Sequence, residues 1–302
     1  WADAGNHRIR IWNRSAANAT LFGVLVSAGK VATIGGDGTA GTATSGVALQ
    51  AAFNTPSGVT FDGTDLYVAD TNNHCIKKIS SAGVLSAFSG TCGTAGNVNG
   101  PVGAGRMNSL EGIDYYENGT HRGLVIADRG NGRIRFHRIA GSSLLFGGST
   151  SIGDANAIAC GGTFHTEGIN ANLSPCSGTY DVAVVGTKVC FTNYSYHNVR
   201  CFLSTGEVTT VLGPIQGIDD TTPLYFPGIS LANDDYDAAA VVPNYTAQGG
   251  VAAFTLPGVL AESTYSESFG QVAYPLPLRA IDASTLVVGE YSLGLIRKVK
   301  LP

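Results

Sequence analysis

Charge is scarce in this chain: Asp, Glu, Lys and Arg make up 13% of its 302 residues, about half the usual share. The 22 acidic residues outnumber the 18 basic ones, giving a formal net charge of −4. That balance excludes a phosphate-binding surface as the main business, because nucleic-acid affinity comes chiefly from basic patches. The densest basic stretch, Arg129, Arg133, Arg135 and Arg138, reads as a solvated strand with its turn. No apolar run approaches the ~20 residues of a membrane helix, and nothing reads as a long amphipathic helix. No signal peptide is visible, so a secreted form has lost it or this sequence leaves it out. The G-x-S-x-G elbow, the P-loop, HExxH and CxxC are all missing, which removes the best-marked hydrolase, nucleotide and zinc sites.

What is plentiful is glycine, 41 residues, about double the usual share. Thr, Ser, Val and Ala are also common. Short β-rich runs punctuated by Gly, Asn, Asp and Pro are strand and hairpin signals. One phrase recurs: WADAGNHRIRIW at Trp1–Trp12, VADTNNHCIKKI at Val68–Ile79 and IADRGNGRIRFH at Ile126–His137. Weaker copies are FTNYSYHNVRCF at Phe191–Phe202 and VGEYSLGLIRKV at Val288–Val299. Each copy is an apolar run, an acid or amide, a polar turn, and an alternating strand. Self-similarity on this scale marks a repeat architecture.

Each phrase is flanked by further strands. SGVTFDG (57–63) precedes the second copy and VLSAFSG (84–90) follows it. EGIDYYENG (111–119) and SLLFGG (143–148) flank the third; TYDVAVVG (179–186) and EVTTVLG (207–213) flank the fourth. A degenerate unit runs from Gly228 to Val272. Four antiparallel strands per unit, repeated radially, describe a β-propeller. The count predicts an all-β, six-bladed propeller of four-stranded blades over residues 1–302, a single domain. Its first and last blades are incomplete, the last ending after a third strand, which predicts a piece of a longer polypeptide or strands supplied by a neighbour.

Asp3, Asp70, Asp128 and Asn193 stand 67, 58 and 65 residues apart, whereas a minimal blade needs ~40–45 residues. The surplus falls between blades, at 35–56, 91–110 and 149–177, and two of these segments share GTAG (38–41 and 93–96). Long loops on one side of a repeat array mark a binding face.

Six cysteines allow many pairings, but the repeat narrows them. If Ala69 faces Ile76, then Thr192 faces Val199 and Cys190 faces Cys201, close enough for a cross-strand disulfide. Cys160 and Cys176 bracket one long loop. Cys75 begins a strand whose hairpin partner runs toward Cys92. Three local disulfides imply an oxidising compartment, secreted or at a cell surface. Asn13, Asn18, Asn118, Asn172, Asn193 and Asn244 each head an N-x-[ST] sequon and are glycosylation candidates.

The phrase (V/I)AD-x-x-N-H-x-I resembles the NHL repeat, most specifically at Val68–Ile79, Ala2–Ile9 and Ile126–Ile134. The resemblance implies a six-bladed propeller scaffold and no particular activity. Relatives include extracellular sensor domains, RNA-binding domains with a strongly basic face, which this chain lacks, and a zinc-dependent lyase. The GTAG-type loops resemble those of large bacterial surface proteins with NHL repeats.

The chemistry offers few sites. His7, His74 and His197 share one repeat position and so serve the blade. His165, in a long loop, is better placed for ligand contact. Asp3, Asp70, Asp128 and Glu290 recur as turn residues, whereas catalytic carboxylates form an asymmetric pair. No catalytic residue and no cofactor is assigned. Asn233, Asp234, Asp235 and Asp237 cluster hard oxygen ligands as a weak calcium candidate without the spacing of a calcium loop. The hairpin turns carry Arg129, Tyr194, Tyr196, Tyr245 and Tyr291, which suit flat polar ligands such as sugars or peptide loops. The sequence therefore points to non-enzymatic adhesion or recognition of a glycan or protein at a cell surface. The alternatives are a fibre subunit self-associating by strand exchange, and a metal-dependent lyase or hydrolase of the central channel.

Overall fold

The structure is a computed structural model. It describes residues 1–141, 144–145, 148–149, 151–160, 176, 178–196, 198–202, 206–212, 225–226, 229–230, 259–260, 275–290 and 295–301. These fall into two compact units. The first comprises Trp1–Leu144 with Gly148–Ala157, and the second Leu145–Gly147 with Ile158–Pro302.

In the first unit, β1 (Ala2–Asp3), β2 (Arg8–Trp12) and β5 (Val31–Gly35) make a three-stranded sheet, and β3 (Ala19–Leu21) and β4 (Val24–Val26) form a separate hairpin. The second sheet contains β6 (Ser45–Val47), β7 (Pro56–Phe61), β8 (Leu66–Asp70), β9 (Cys75–Ile79) and β10 (Val84–Ser89), in the order β6-β10-β9-β8-β7. The third contains β11 (Gly100–Pro101), β12 (Leu110–Glu117), β13 (Arg122–Asp128), β14 (Arg133–Ala140) and β17 (Asp154–Ala159), in the order β11-β17-β14-β13-β12. Two short strands, β15 (Leu144–Leu145) and β16 (Gly148–Ser149), pair with each other. Within the stretch 143–148, expected to close the third blade, the described β15 and Gly148 belong to this pair and not to the third sheet. The fourth strand of that blade is β17, which follows it.

The second unit holds β18 (Val182–Val185), β19 (Lys188–Asn193), β20 (Asn198–Phe202) and β21 (Val208–Leu212) in sequential order. After the pair β22 (Tyr225–Phe226) and β23 (Ile229–Ser230) come β24 (Val259–Leu260), β25 (Pro275–Asp282), β26 (Thr285–Glu290) and β27 (Leu295–Lys300), in the order β24-β27-β26-β25.

Within each unit, successive sheets meet through their innermost strands, as propeller blades do. Ser57 of β7 donates its hydroxyl to the Glu111 carbonyl of β12 at 2.9 Å. Gly58 makes that approach feasible, because a Cβ there would strike the Glu111 carbonyl. In the second unit the Leu278 amide of β25 reaches Asp181, just before β18, at 2.9 Å. Apolar clusters fill the spaces between sheets. Ile9, Phe53, Val68 and Ile79 form one, Ile76, Met107, Leu110 and Ile126 another, and Ala183, Val199, Leu278 and Val288 a third.

Two expectations are corrected. Among the described residues there are five blade-like sheets, not six. The sheet of β18–β21 meets the last sheet directly, and among the described residues the degenerate unit contributes β23, paired with β22 just ahead of it, and β24. The remainder of that unit lies outside the described residues. The last blade also has a fourth strand, because β24 pairs with β27 from upstream.

The surplus between blades has its own explanation. The segment 35–56 crosses to the far edge of the next sheet, adds β6 to β10, and returns to start β7. Segment 91–110 does the same with β11 on β17, and β24 repeats the device. Ala48, Phe53, Met107 and Leu110 on these segments are at most 1% exposed. Parts of the first two surplus segments are therefore edge strand and core, while residues 37–47 and 91–104 are all exposed or partly exposed; most of 149–177 is not described.

Candidate functional site

The recurring phrase folds into a cassette of polar contacts. Its apolar run is β8 or β13. A 3-10 turn follows (Thr71–Asn73 or Arg129–Asn131), and then β9 or β14. Three residues of the cassette lie three and four positions apart. In the second sheet, Asp70 pairs with Lys77 at 2.6 Å, both side chains fully buried. Asn73 donates to Asp70 Oδ2 at 2.7 Å and to the Gly41 carbonyl at 2.6 Å. Lys77 also donates to the Ala52 carbonyl at 2.9 Å and lies 4.8 Å from the Phe53 ring. The Asn54 amide donates to Asp70 Oδ1 at 2.7 Å.

The third sheet repeats this atom for atom. Arg135 pairs with Asp128 at 2.6 Å, again fully buried. Asn131 bridges Asp128 Oδ2 and the Gly96 carbonyl at 2.8 and 2.7 Å. The Asn108 amide reaches Asp128 Oδ1 at 2.8 Å. Arg135 spends its remaining donors on Asn97 and Asn99. Gly41 and Gly96 are the last residues of the two GTAG stretches, so those stretches are docking points for the cassette asparagines. The acids were read from the sequence as turn residues. They are also ion-pair hubs, a role visible only once the basic residue seven positions on is paired with them.

The cassette fixes its acid, its amide and its cation. It leaves open the first two residues of the 3-10 turn. Ala4, Thr71, Arg129 and Tyr194 occupy the first position in four successive blades, and Gly5, Asn72, Gly130 and Ser195 the second. Thr71 shares a hydrogen bond with Ser57 at 2.6 Å. Arg129 is half-exposed and pairs with Glu111 at 3.1 Å. Burial pushes the Glu111 carboxyl above the usual carboxylate range, while Arg129 pulls the other way. Tyr194 is half-buried, its ring 5.0 Å from that of Tyr180. Ser57, Glu111 and Tyr180 were missed at the sequence level. Their only signal is the repeated position just ahead of, or early in, each innermost strand.

Of the other ligand-face candidates, Tyr196 ends the turn Tyr194–Tyr196, with its side chain outside the described residues. Tyr245, Tyr291 and His165 lie outside them altogether, as do the calcium candidates Asn233, Asp234, Asp235 and Asp237. Among the described residues no three His, Cys, Asp or Glu side chains cluster as a metal site. His7 and His74 sit at one repeat position with φ of 53° and 58°.

Three disulfides join Cys75 to Cys92, Cys160 to Cys176 and Cys190 to Cys201. The last links directly opposed residues of β19 and β20, 3.9 Å apart at Cα. No helix among the described residues is long and apolar enough to cross a membrane. Of the sequon asparagines, Asn13 and Asn193 are buried at 4% and 1% exposure. Asn18 and Asn118 are exposed, while Asn172 and Asn244 lie outside the described residues.

The family model for the NHL repeat matches residues 53–79, the stretch containing β7, β8 and β9 with the buried Asp70–Lys77 cassette. No curated protein sequence matches the chain. Solved structures with a similar chain path include an inactive variant of virginiamycin B lyase from Staphylococcus aureus with quinupristin. It is 11% identical, covering 82% of this chain and 52% of that one, with a TM-score of 0.41. A nidogen/laminin complex is 9% identical over 90% of this chain and 64% of that one, with a TM-score of 0.45. An auxiliary nutrient binding protein from Bacteroides ovatus ATCC 8483 is 12% identical over 82% and 48%, with a TM-score of 0.46. The chain thus spans about half to two-thirds of these relatives' lengths. At such identities the likeness concerns the fold alone.

Proposed function

We propose that the chain is a non-enzymatic recognition module that binds a protein or glycan through the 3-10 turns between the second and third strands of its blades. The observation behind this reading is the contrast inside each cassette. The acid–amide–cation frame of the first three blades repeats, while the first turn residue changes from Ala4 to Thr71, Arg129 and Tyr194. A scaffold that holds its frame while its turn residues vary, partly exposed in Ala4, Arg129 and Tyr194 and buried in Thr71, supports a reading of specificity rather than of one reaction. Arg129 offers a guanidinium and Tyr194 an aromatic face, the two residue types that dominate recognition hot spots. The three disulfides suit an oxidising, extracellular setting.

The test is binding of the full chain to a glycan array and to intact cells, with Arg129→Ala and Tyr194→Ala made separately, because the two turns belong to different compact units. The reading expects at least one of these variants to lose tenfold or more in apparent affinity, as truncated hot-spot side chains do (about 1.4 kcal/mol or more). Unchanged binding by both variants, each of native circular dichroism, would move the site off these turns.

A further inference from the structure

We propose that His7 and His74 are acid-sensitive latches that hold the turn leading into the next blade's innermost strand. The Thr55 amide donates to His7 Nδ1 at 3.0 Å, across 48 residues of sequence. The Ser109 amide donates to His74 Nδ1 at 3.0 Å, across 35 residues. The same bond, at the same repeat position, is thus made twice. In both cases the acceptor is the ring nitrogen that must carry no proton.

Each donor sits in a strained place. Thr55 and Ser109 have φ of 53° and 48°, in the left-handed region that costs an L-residue about 1–2 kcal/mol. Each immediately precedes an innermost strand, β7 or β12, and so aims it. The latch therefore holds a turn that would relax without it. Protonation of the imidazole turns Nδ1 from acceptor to donor and sets two N–H groups against each other. Histidine is the side chain whose charge changes in the mildly acidic range.

Among the described residues, the carboxylates around the two imidazoles already have partners. Around His7, Asp3 is taken by Asn6 and Arg10, Asp37 by Thr39, and Asp70 by Lys77. The nearby cations are Arg8, which donates to the Asp37 carbonyl, and Lys77. Around His74, Asp70 is committed to Lys77 and Asp128 to Arg135, while Lys78 is held by Asp65 and Arg106 packs against Gly96. The turns keep other anchors: the Asn54 and Asn108 amides on Asp70 and Asp128, the Asn72 and Gly130 amides on the Asn54 and Asn108 carbonyls, and the Asn72 side chain on the Thr55 hydroxyl. Acid should therefore loosen the Asn54–Thr55 and Asn108–Ser109 turns locally, without unfolding the sheets. The third blade contains its own comparison, because Gly132 replaces the histidine there.

The test is amide hydrogen exchange of the intact chain at pH 7.5 and 5.5, corrected for intrinsic rates. Wild type is compared with His7→Asn/His74→Asn. Asparagine tolerates the left-handed conformation, and its Oδ1 stands where Nδ1 stood, but it does not titrate. Loss of one hydrogen bond is worth up to about a tenfold change in local opening. The proposal expects the Thr55 and Ser109 amides to lose up to about tenfold protection at pH 5.5 in wild type and to keep it in the double variant. Reading single amides separates the latch from His137, which is buried elsewhere in the same unit. Equal protection at both pH values in wild type would overturn the proposal. So would an equal loss in the asparagine variant.

Discussion

The first blade and the second carry an aspartate, an asparagine and a basic residue at the same spacing, and they use them differently. Asp3, Asn6 and Arg10 repeat Asp70, Asn73 and Lys77, and Arg10 meets Asp3 at 3.1 Å. Yet the Asp3 and Arg10 side chains are 24% and 28% exposed, while Asp70 and Lys77 are fully buried. Asn73 reaches the Gly41 carbonyl as well as its own acid. Asn6 reaches Asp3 alone among the described residues. Spacing decides that the contacts form; the segment laid over them decides what they are worth. A solvent-screened pair contributes little, whereas a buried charge stripped of its partner is severely destabilising.

The largest predicted effect tests that difference directly. Asp70→Asn leaves the Lys77 ammonium buried without its carboxylate and should cost about 3–5 kcal/mol in urea denaturation. Asp128→Asn should do the same through Arg135. Asp3→Asn should leave the denaturation midpoint nearly where it was. Pairing Asp70→Asn with Lys77→Met should recover most of the loss, since no charge is then stranded. Equal losses at Asp3 and Asp70 would mean that burial is not what separates the two blades.

This contrast also marks what could be read in the sequence. The strand–turn–strand phrase, its register and the Cys190–Cys201 pairing were legible, because a period-two pattern and one aligned repeat fix which residues oppose each other. Ala69 does face Ile76, and Thr192 does face Val199. The paths of segments 35–56 and 91–110 were not legible. Their strands β6 and β11 have three and two residues, too short for any periodicity, and they pair with strands that come later in the chain. The blade count failed for a related reason. A degenerate unit reads as a blade only by analogy with its neighbours, and β24 pairs instead with the last sheet. At the candidate site, Arg129 and Tyr194 were found from their turns. Glu111 and Tyr180, their partners, lie early in or just ahead of innermost strands that nothing local ties to those turns.

A second pair of residues sharpens the contrast between the two compact units, with a smaller effect. Burial raises the Asp181 carboxyl in the second unit to about 6, against the opposing pull of Arg279. The unfolded carboxyl, near its ordinary value, releases its proton first as pH rises. The folded state therefore holds the extra proton between about pH 4 and 6, and the second unit loses stability as pH climbs through that window. Burial lowers His137 in the first unit to about 4. Its unfolded form takes a proton first as pH falls, so the first unit loses stability as pH drops from about 6.5 to 4. Each effect is of order 2–3 kcal/mol. Slow-exchanging core amides of the two units, followed from pH 4.5 to 7, should move in opposite directions. Asp181→Asn should flatten the response of the second unit only. Parallel responses in wild type would remove the distinction.

The smallest effect on stability falls on the exposed blade itself. Two sequons stand on the segment leading to its hairpin, Asn13 and Asn18, and the fold treats them oppositely. The Asn13 amide nitrogen donates to the Ala17 and Val26 carbonyls, both at 2.9 Å, and its oxygen accepts from Ser15. A glycan there would have to break those bonds and open a side chain that is 4% exposed. Asn18 is exposed and uses only its oxygen, toward the Ala28 amide, among the bonds of the described residues. Expressed through a eukaryotic secretory pathway, the chain should carry glycan at Asn18 and Asn118, and none at Asn13 or Asn193. Peptide mass mapping before and after glycosidase treatment reads this directly. Asn18→Gln should remove one glycan with no measurable shift in melting temperature. Occupancy at Asn13 would mean that the hairpin of β3 and β4 docks only after the chain has been modified, and that the first blade closes later than its neighbours.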